Sequence, residues 1–183
     1  FKVEAGEVLG IVGRSGAGKS TLVNLISRLY DTGEGEVLVD GINVRKYGFK
    51  ELRKNVAMVS QETYIFMGTV AENIAYARPE ATREEIIKAA IQASAHDFIC
   101  KMPQGYDTIL GHSSRSLSGG EKQRLSIARA IAKQPKIYLF DDSFSALDYK
   151  TDAALRRALK EKTKDATVLI VAQRISTILH ADQ

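Results

Sequence analysis

Eight residues constrain this chain more than all the others. Gly13-Arg14-Ser15-Gly16-Ala17-Gly18-Lys19-Ser20 spells G-x-x-x-x-G-K-S, a spacing that builds a loop of backbone N–H groups around a phosphate chain. The glycines let the main chain approach oxygens with no Cβ in the way. Lys19 has the reach for the β- and γ-phosphates, and the Ser20 hydroxyl is placed for Mg²⁺. The flanks agree. Residues 8–12 form a short apolar run that predicts a strand. Residues 19–29, apolar at 22, 25, 26 and 29, predict a helix whose N-terminus attracts the anion.

Beyond the loop the chain alternates between the two kinds of element. The pattern predicts strand 36–39, a short helix near 49–53 and strand 55–59. From Thr69 to Cys100 the spacing turns helical, through Val70, Ile74, Ile86, Ala90 and Phe98, with Pro79 and Thr82 marking a helix start. Alternation then returns: helix 119–132, strand 136–141, helix 149–160, strand 166–171 and a short helix 175–180. Such alternation predicts an α/β fold, a mostly parallel sheet flanked by helices, and the helical middle reads as an insertion.

The 183 residues suffice for one domain with its own core. No apolar run approaches the roughly 20 residues of a membrane-spanning helix. Cys100 is the single cysteine, which excludes an internal disulfide and a cysteine metal cluster. The net charge of +4 is scattered. Its densest group, Arg156, Arg157, Lys160, Lys162 and Lys164, reads as a solvated helix face, so no nucleic-acid partner is expected. The first residues read as a strand entered mid-course, and the last lack a helix-closing signal. Both features lead us to expect a piece of a larger polypeptide.

A second cluster of chemistry lies at 137–142. Ile137-Tyr138-Leu139-Phe140-Asp141-Asp142 is an apolar run ending in two carboxylates. A strand buried on both faces looks like this, and acids at its C-terminal tip lie where open α/β sheets bind ligands. Asp141 can hold Mg²⁺ through water, as in nucleotide-hydrolysing P-loop folds. Asp142 is then directed toward the γ-phosphate, where an attacking water needs orienting.

Leu117-Ser118-Gly119-Gly120-Glu121-Lys122-Gln123-Arg124 closely resembles the LSGGQ signature of ATP-binding-cassette (ABC) proteins. Gln61 resembles that family's Q-loop glutamine, and Ser145-Ala146-Leu147-Asp148 its D-loop. Thr69-Val70-Ala71-Glu72-Asn73-Ile74 is similar to the segment after the Q-loop in exporter-type cassettes. The resemblance spans essentially the whole chain. It implies the nucleotide-binding domain of an ABC exporter, with a P-loop NTPase fold. Core pieces 1–60 and 136–183 would flank a helical subdomain at about 69–118, with a small antiparallel β part toward the N-terminal side.

The resemblance also implies roles, residue by residue. ATP and Mg²⁺ would be held by Gly13, Arg14, Ser15, Gly16, Ala17, Gly18, Lys19, Ser20 and Thr21, with Ser20, Gln61 and Asp141 serving the metal. Asp142, Gln61 and Gln173 would act in catalysis. Ser118, Gly119 and Gly120 would cap the nucleotide of a second such domain in a head-to-tail pair, and Asp148 would act across that pair. A C₂ or pseudo-C₂ arrangement satisfies this pairing without an open polymer. The transmembrane domain of the same transporter is the other implied partner, and the cytoplasmic face of the membrane the implied location. The bland reading of Ser118 is an ordinary helix N-cap.

Three positions depart from the family's pattern, two of them in the catalytic constellation and the third, His112, in a loop tied to inter-domain coupling. The residue after the strand's first aspartate is usually glutamate in the family, and here it is Asp142, one methylene shorter. The switch histidine is replaced by Gln173, which donates a hydrogen bond but carries no proton. His112 stands where an acidic residue is usual. His96 and His180 read as surface or core residues, and no upstream aromatic is identifiable for stacking on adenine. Together the two substitutions suggest a site that binds ATP and hydrolyses it poorly, beside an intact signature that completes a different subunit's site. A slower homodimeric ATPase is the milder reading. The competing function is a soluble ABC ATPase acting on ribosomes or DNA. The exporter-like 69–74 stretch argues for transport, as does the absence of heptads between Gln61 and Ser118.

Overall fold

The computed structural model describes the chain except for residues 112–116, 146, 149–150, 154, 156, 158, 160–165, 174–177 and 179–180. His112, Ser113, Ser114, Ala146, His180 and most of the basic group at 156–164 therefore lie outside the described residues. So does nearly all of the short helix expected at 175–180.

The chain divides into two compact units. The first comprises 1–60, 135–143 and 165–183, and the second 61–134 and 144–164. The first is built on four parallel strands in the order β1-β8-β7-β4, with β1 at Val8–Val12, β4 at Val56–Val59, β7 at Ile137–Asp141 and β8 at Thr167–Ala172. The expected strand positions hold to within a residue or so. The apolar run of β7 is buried along nearly its whole length, as a strand covered on both faces requires. Leu139, Leu169 and Val171 pack with Leu9, Val23, Ile26 and Leu52 into one core. Each such side chain contributes about 1.5–3 kcal/mol by leaving water.

Helix α1 runs Lys19–Ile26, three residues short of the expected end. Ser27 closes it, and Arg28 turns left-handed at φ 53°, its guanidinium donating to Asp31 and to the carbonyls of Arg45 and Tyr47. Those bonds outweigh the helical periodicity that extends to Leu29. The expected strand at 36–39 is the first arm of a hairpin: β2 at Leu38–Val39 and β3 at Ile42–Asn43, antiparallel. Asp40 and Gly41 form its two-residue turn, both at positive φ. Helix α2, Phe49–Asn55, leads into β4.

The second unit is helical around one small antiparallel pair, β5 at Gly68–Thr69 and β6 at Ile109–Leu110. Helices α3 (Val70–Ala75), α4 (Arg83–Gln92), α5 (His96–Cys100) and α6 (Gly119–Lys133) complete it. Three of them start on the same device. Thr69 with Glu72, Thr82 with Glu85, and Ser118 with Glu121 each form a reciprocal capping box, the hydroxyl accepting from the N3 amide while the glutamate accepts from the cap's own N–H. His96 bonds the Tyr106 hydroxyl at 2.9 Å, a structural contact, and Cys100 is exposed. Among the described residues no helix is long and apolar enough to cross a membrane.

Candidate nucleotide site

The order of the parallel sheet places the chemistry. Strand β8 lies between β1 and β7, with Val12 beside Ala172 and Asp141 beside Val171. The loop after β1, the carboxylates after β7 and Gln173 after β8 therefore emerge side by side at the C-terminal edge of the sheet, where open α/β folds bind ligands.

Gly16 and Gly18 carry φ of 77° and 87°, and a Cβ built at either meets nothing within 4 Å. Backbone conformation, not space, demands glycine there. Gly18 is also the N-cap of α1, and no side chain caps that helix. Its first N–H groups are thus left to whatever lies in front of them, a ready anion site at a helix start. The Lys19 ammonium donates to the carbonyls of Gly13 and Arg14, both at 2.8 Å. Arg14, Ser15 and Ala17 are exposed along the loop, with the Ala17 amide bonded to the Arg14 carbonyl, and Thr21 lies in the first turn of α1.

The Ser20 hydroxyl donates to Asp141 at 3.0 Å. Asp141 is only 7% exposed. A buried carboxylate beside a hydroxyl is a hard-oxygen pair of the kind Mg²⁺ prefers, and Mg²⁺ takes few protein ligands besides phosphate and water. Ser20 and Asp141 fit that ion.

Asp142 is held through both its backbone and its carboxylate. Its amide donates to the Val171 carbonyl at 3.0 Å, its backbone is left-handed at φ 47°, and its carboxylate accepts from Gln173 Nε2 at 2.9 Å. Buried Ser143 fixes the same turn by donating to the Val59 carbonyl at 2.6 Å and to the Asp141 carbonyl. Sequence reasoning missed Ser143. An Asp-Ser pair after an apolar strand was the only available hint.

Gln61, Ser118, Gly119, Gly120 and Asp148 belong to the second unit. Gln61 is exposed in the loop after β4. The Ser118 hydroxyl accepts from the Glu121 amide at 3.3 Å and donates to the Glu121 carboxylate at 2.9 Å. Its N-cap role is therefore realised. This leaves the Gly119 and Gly120 amides as what the start of α6 offers an anion directly. Asp148 accepts from the Thr151 amide at 3.0 Å and from its hydroxyl at 2.6 Å.

A parallel α/β sheet bearing a glycine-cornered phosphate loop, a lysine, a hydroxyl and a strand-tip aspartate defines a P-loop nucleotide-binding protein. Comparison with known proteins narrows the class. The ABC transporter family model matches residues 1–145. An ATP-dependent lipid A-core flippase of Haemophilus influenzae (strain 86-028NP) is 49% identical over 184 residues, covering 100% of this chain and 31% of the flippase. A putative multidrug export ATP-binding/permease protein of Staphylococcus aureus (strain NCTC 8325 / PS 47) is 49% identical over 183 residues, covering 100% of this chain and 32% of its own. The structure of a bacterial Atm1-family ABC exporter with ATP bound superimposes with TM-score 0.95 at 43% identity, over 100% of this chain and 32% of that one. The chain belongs to the ABC transporter family, as an exporter-type nucleotide-binding domain. It spans about a third of the length of the relatives it matches.

Proposed function

We propose that this chain is the ATP-binding and ATP-hydrolysing motor of an export-type ABC transporter, and that its own site binds MgATP while hydrolysing it slowly. The observation that carries the reading is the convergence of Lys19, Ser20, Asp141, Asp142 and Gln173 on one edge of the sheet, with Asp142 and Gln173 bonded to each other.

In this reading the amides of 14–20 and the Lys19 ammonium receive the phosphates of ATP. Lys19 exchanges its two loop carbonyls for phosphate oxygens. Ser20 and Asp141, with Gln61, would hold Mg²⁺, which neutralises phosphate charge. Asp142 would orient the attacking water, and two features weaken it for the task. Its carboxylate is one methylene short, and one of its oxygens is occupied by an amide that cannot take a proton. A misplacement of about 1 Å costs on the order of 10²-fold in rate.

Ser118, Gly119 and Gly120 would close over the nucleotide of a second domain, head to tail, and Asp148 would act across that pair. The second domain is a different subunit with an intact catalytic pair. ATP binding then favours the paired state and hydrolysis releases it, a two-state element biased by the γ-phosphate. The motion passes to transmembrane segments of the same transporter, placing this domain on the cytoplasmic face of a membrane. The exporter names of the relatives favour transport over a soluble ribosome- or DNA-directed ATPase.

A photo-cross-linker at residue 118 in the assembled transporter, loaded with a non-cleavable ATP analogue, tests the pairing. The expected product joins 118 to the phosphate loop of a second domain. Residue 118 remote from every nucleotide overturns the reading.

A further inference from the structure

The segment that follows Gln61 is tied to helix α6 at several points, all within the second unit. The Thr63 hydroxyl donates to Gln123 Oε1 at 2.5 Å. Gln123 is 3% exposed and lies in the second turn of α6, five residues past Ser118. The Arg129 guanidinium donates to the Tyr64 carbonyl at 3.1 Å, to the Asn73 carbonyl at 2.8 Å and to the Asn73 side-chain oxygen at 3.1 Å. Asn73, 1% exposed, clasps Phe66 on both sides, accepting from its amide at 2.8 Å and donating to its carbonyl at 2.9 Å. Arg129 also lies 4.8 Å from the centre of the Phe66 ring, which stacks on Tyr76 at 3.9 Å. Residues 63, 64 and 66 are therefore each fastened to α6, directly or through Asn73.

A 15-residue helix about 22 Å long does not flex over one or two turns. What displaces the loop at 63–66 displaces α6, and the signature tip is the first turn of α6. Surface hydrogen bonds are easily exchanged with water. Gln123 and Asn73 are themselves buried, so breaking their bonds leaves desolvated polar groups on that side. The tie thus behaves as a link and not as a loose contact.

We propose that Thr63, Gln123 and Arg129 are positioning residues that convert a displacement at Gln61 into a displacement of the Ser118-Gly119-Gly120 tip. The proposal rests on the reading above, in which Gln61 senses nucleotide and residue 118 caps a second one. It adds the mechanical path between them.

The test uses the full transporter with its partner. Thr63→Val keeps the side-chain volume and removes the donor. The expected result, read well below the melting midpoint, is a fall in kcat of about tenfold, KM for ATP within twofold, a midpoint lowered by only a few degrees for the stranded Gln123 oxygen, and loss of the ATP-dependent cross-link at 118. Thr63→Ser restores all of it. Arg129→Lys, which keeps the cation and loses the fork, gives the same pattern through the second attachment. Wild-type kcat and cross-linking in both variants overturn the link while leaving the capping role of 118 intact. A kcat that recovers on cooling well below the melting midpoint overturns it too, since lost stability then explains the defect. If the wild-type protein yields no cross-link at 118, the underlying reading fails and this inference falls with it.

Discussion

A short carboxylate and a carboxamide meet across 2.9 Å at the head of the sheet, and each limits the other. Lengthening Asp142 alone drives the new methylene toward Gln173 and sets a glutamate at φ 47°, where aspartate is the better tolerated residue. Replacing Gln173 by histidine alone removes the carboxamide donor but leaves the carboxylate one methylene short. We therefore expect Asp142→Glu and Gln173→His each to change single-turnover hydrolysis by no more than about twofold, and the double variant to raise it by about 10²-fold, far beyond the product of the two. The measurement uses the assembled transporter with the partner's own site disabled. Additive single effects, or robust turnover from the unaltered loop, would sink the idea of a mutually restrained pair. Both residues were legible in the sequence as departures from a pattern. Their bond was not, because it depends on β8 lying between β1 and β7, a matter of strand order that spacing does not encode.

At the scale of elements, the helix starts separate into two kinds. Three helices of the second unit begin on Ser or Thr with Glu at N3, whereas α1 begins on a glycine with no side-chain cap. Ser118 belongs to the capped kind. Ser118→Ala should lower stability by about 1 kcal/mol, and Ser118→Thr should retain most of the cap. Chemical denaturation reads the difference. If Ala leaves stability untouched, Glu121 satisfies the helix start unaided. This cap was in the sequence as S-x-x-E, weighed there as the bland alternative. The Asp40-Gly41 turn was equally present and went unread. What sequence could not supply was the β5–β6 pair, since two-residue strands carry no periodicity. The early end of α1 was hidden too, decided by distant carbonyls that accept from Arg28.

For the whole molecule, pH tests the cores of both units. Burial lifts the phenols of Tyr138, in the first unit, and Tyr106, in the second, from 10.0 to about 12. The unfolded chain gives up those protons near pH 10 and the folded chain near 12, so their stabilisation is complete below pH 10 and lost as pH climbs to 12. Arg129 runs the other way. Burial lowers its guanidinium from 12.5 to about 10, still far above neutral, so it stays charged across the physiological range. Tyr138→Phe should flatten the alkaline loss of unfolding free energy between pH 10 and 12, by up to about 3 kcal/mol, as read by chemical denaturation at each pH. An unchanged slope would assign the fall to other groups. One last feature concerns the working cycle. The Lys19 ammonium bridges the carbonyls of Gly13 and Arg14 across its own loop. In the proposed reading phosphate oxygens take over those two donors, so that taking up nucleotide is a swap of contacts and not an act of refolding.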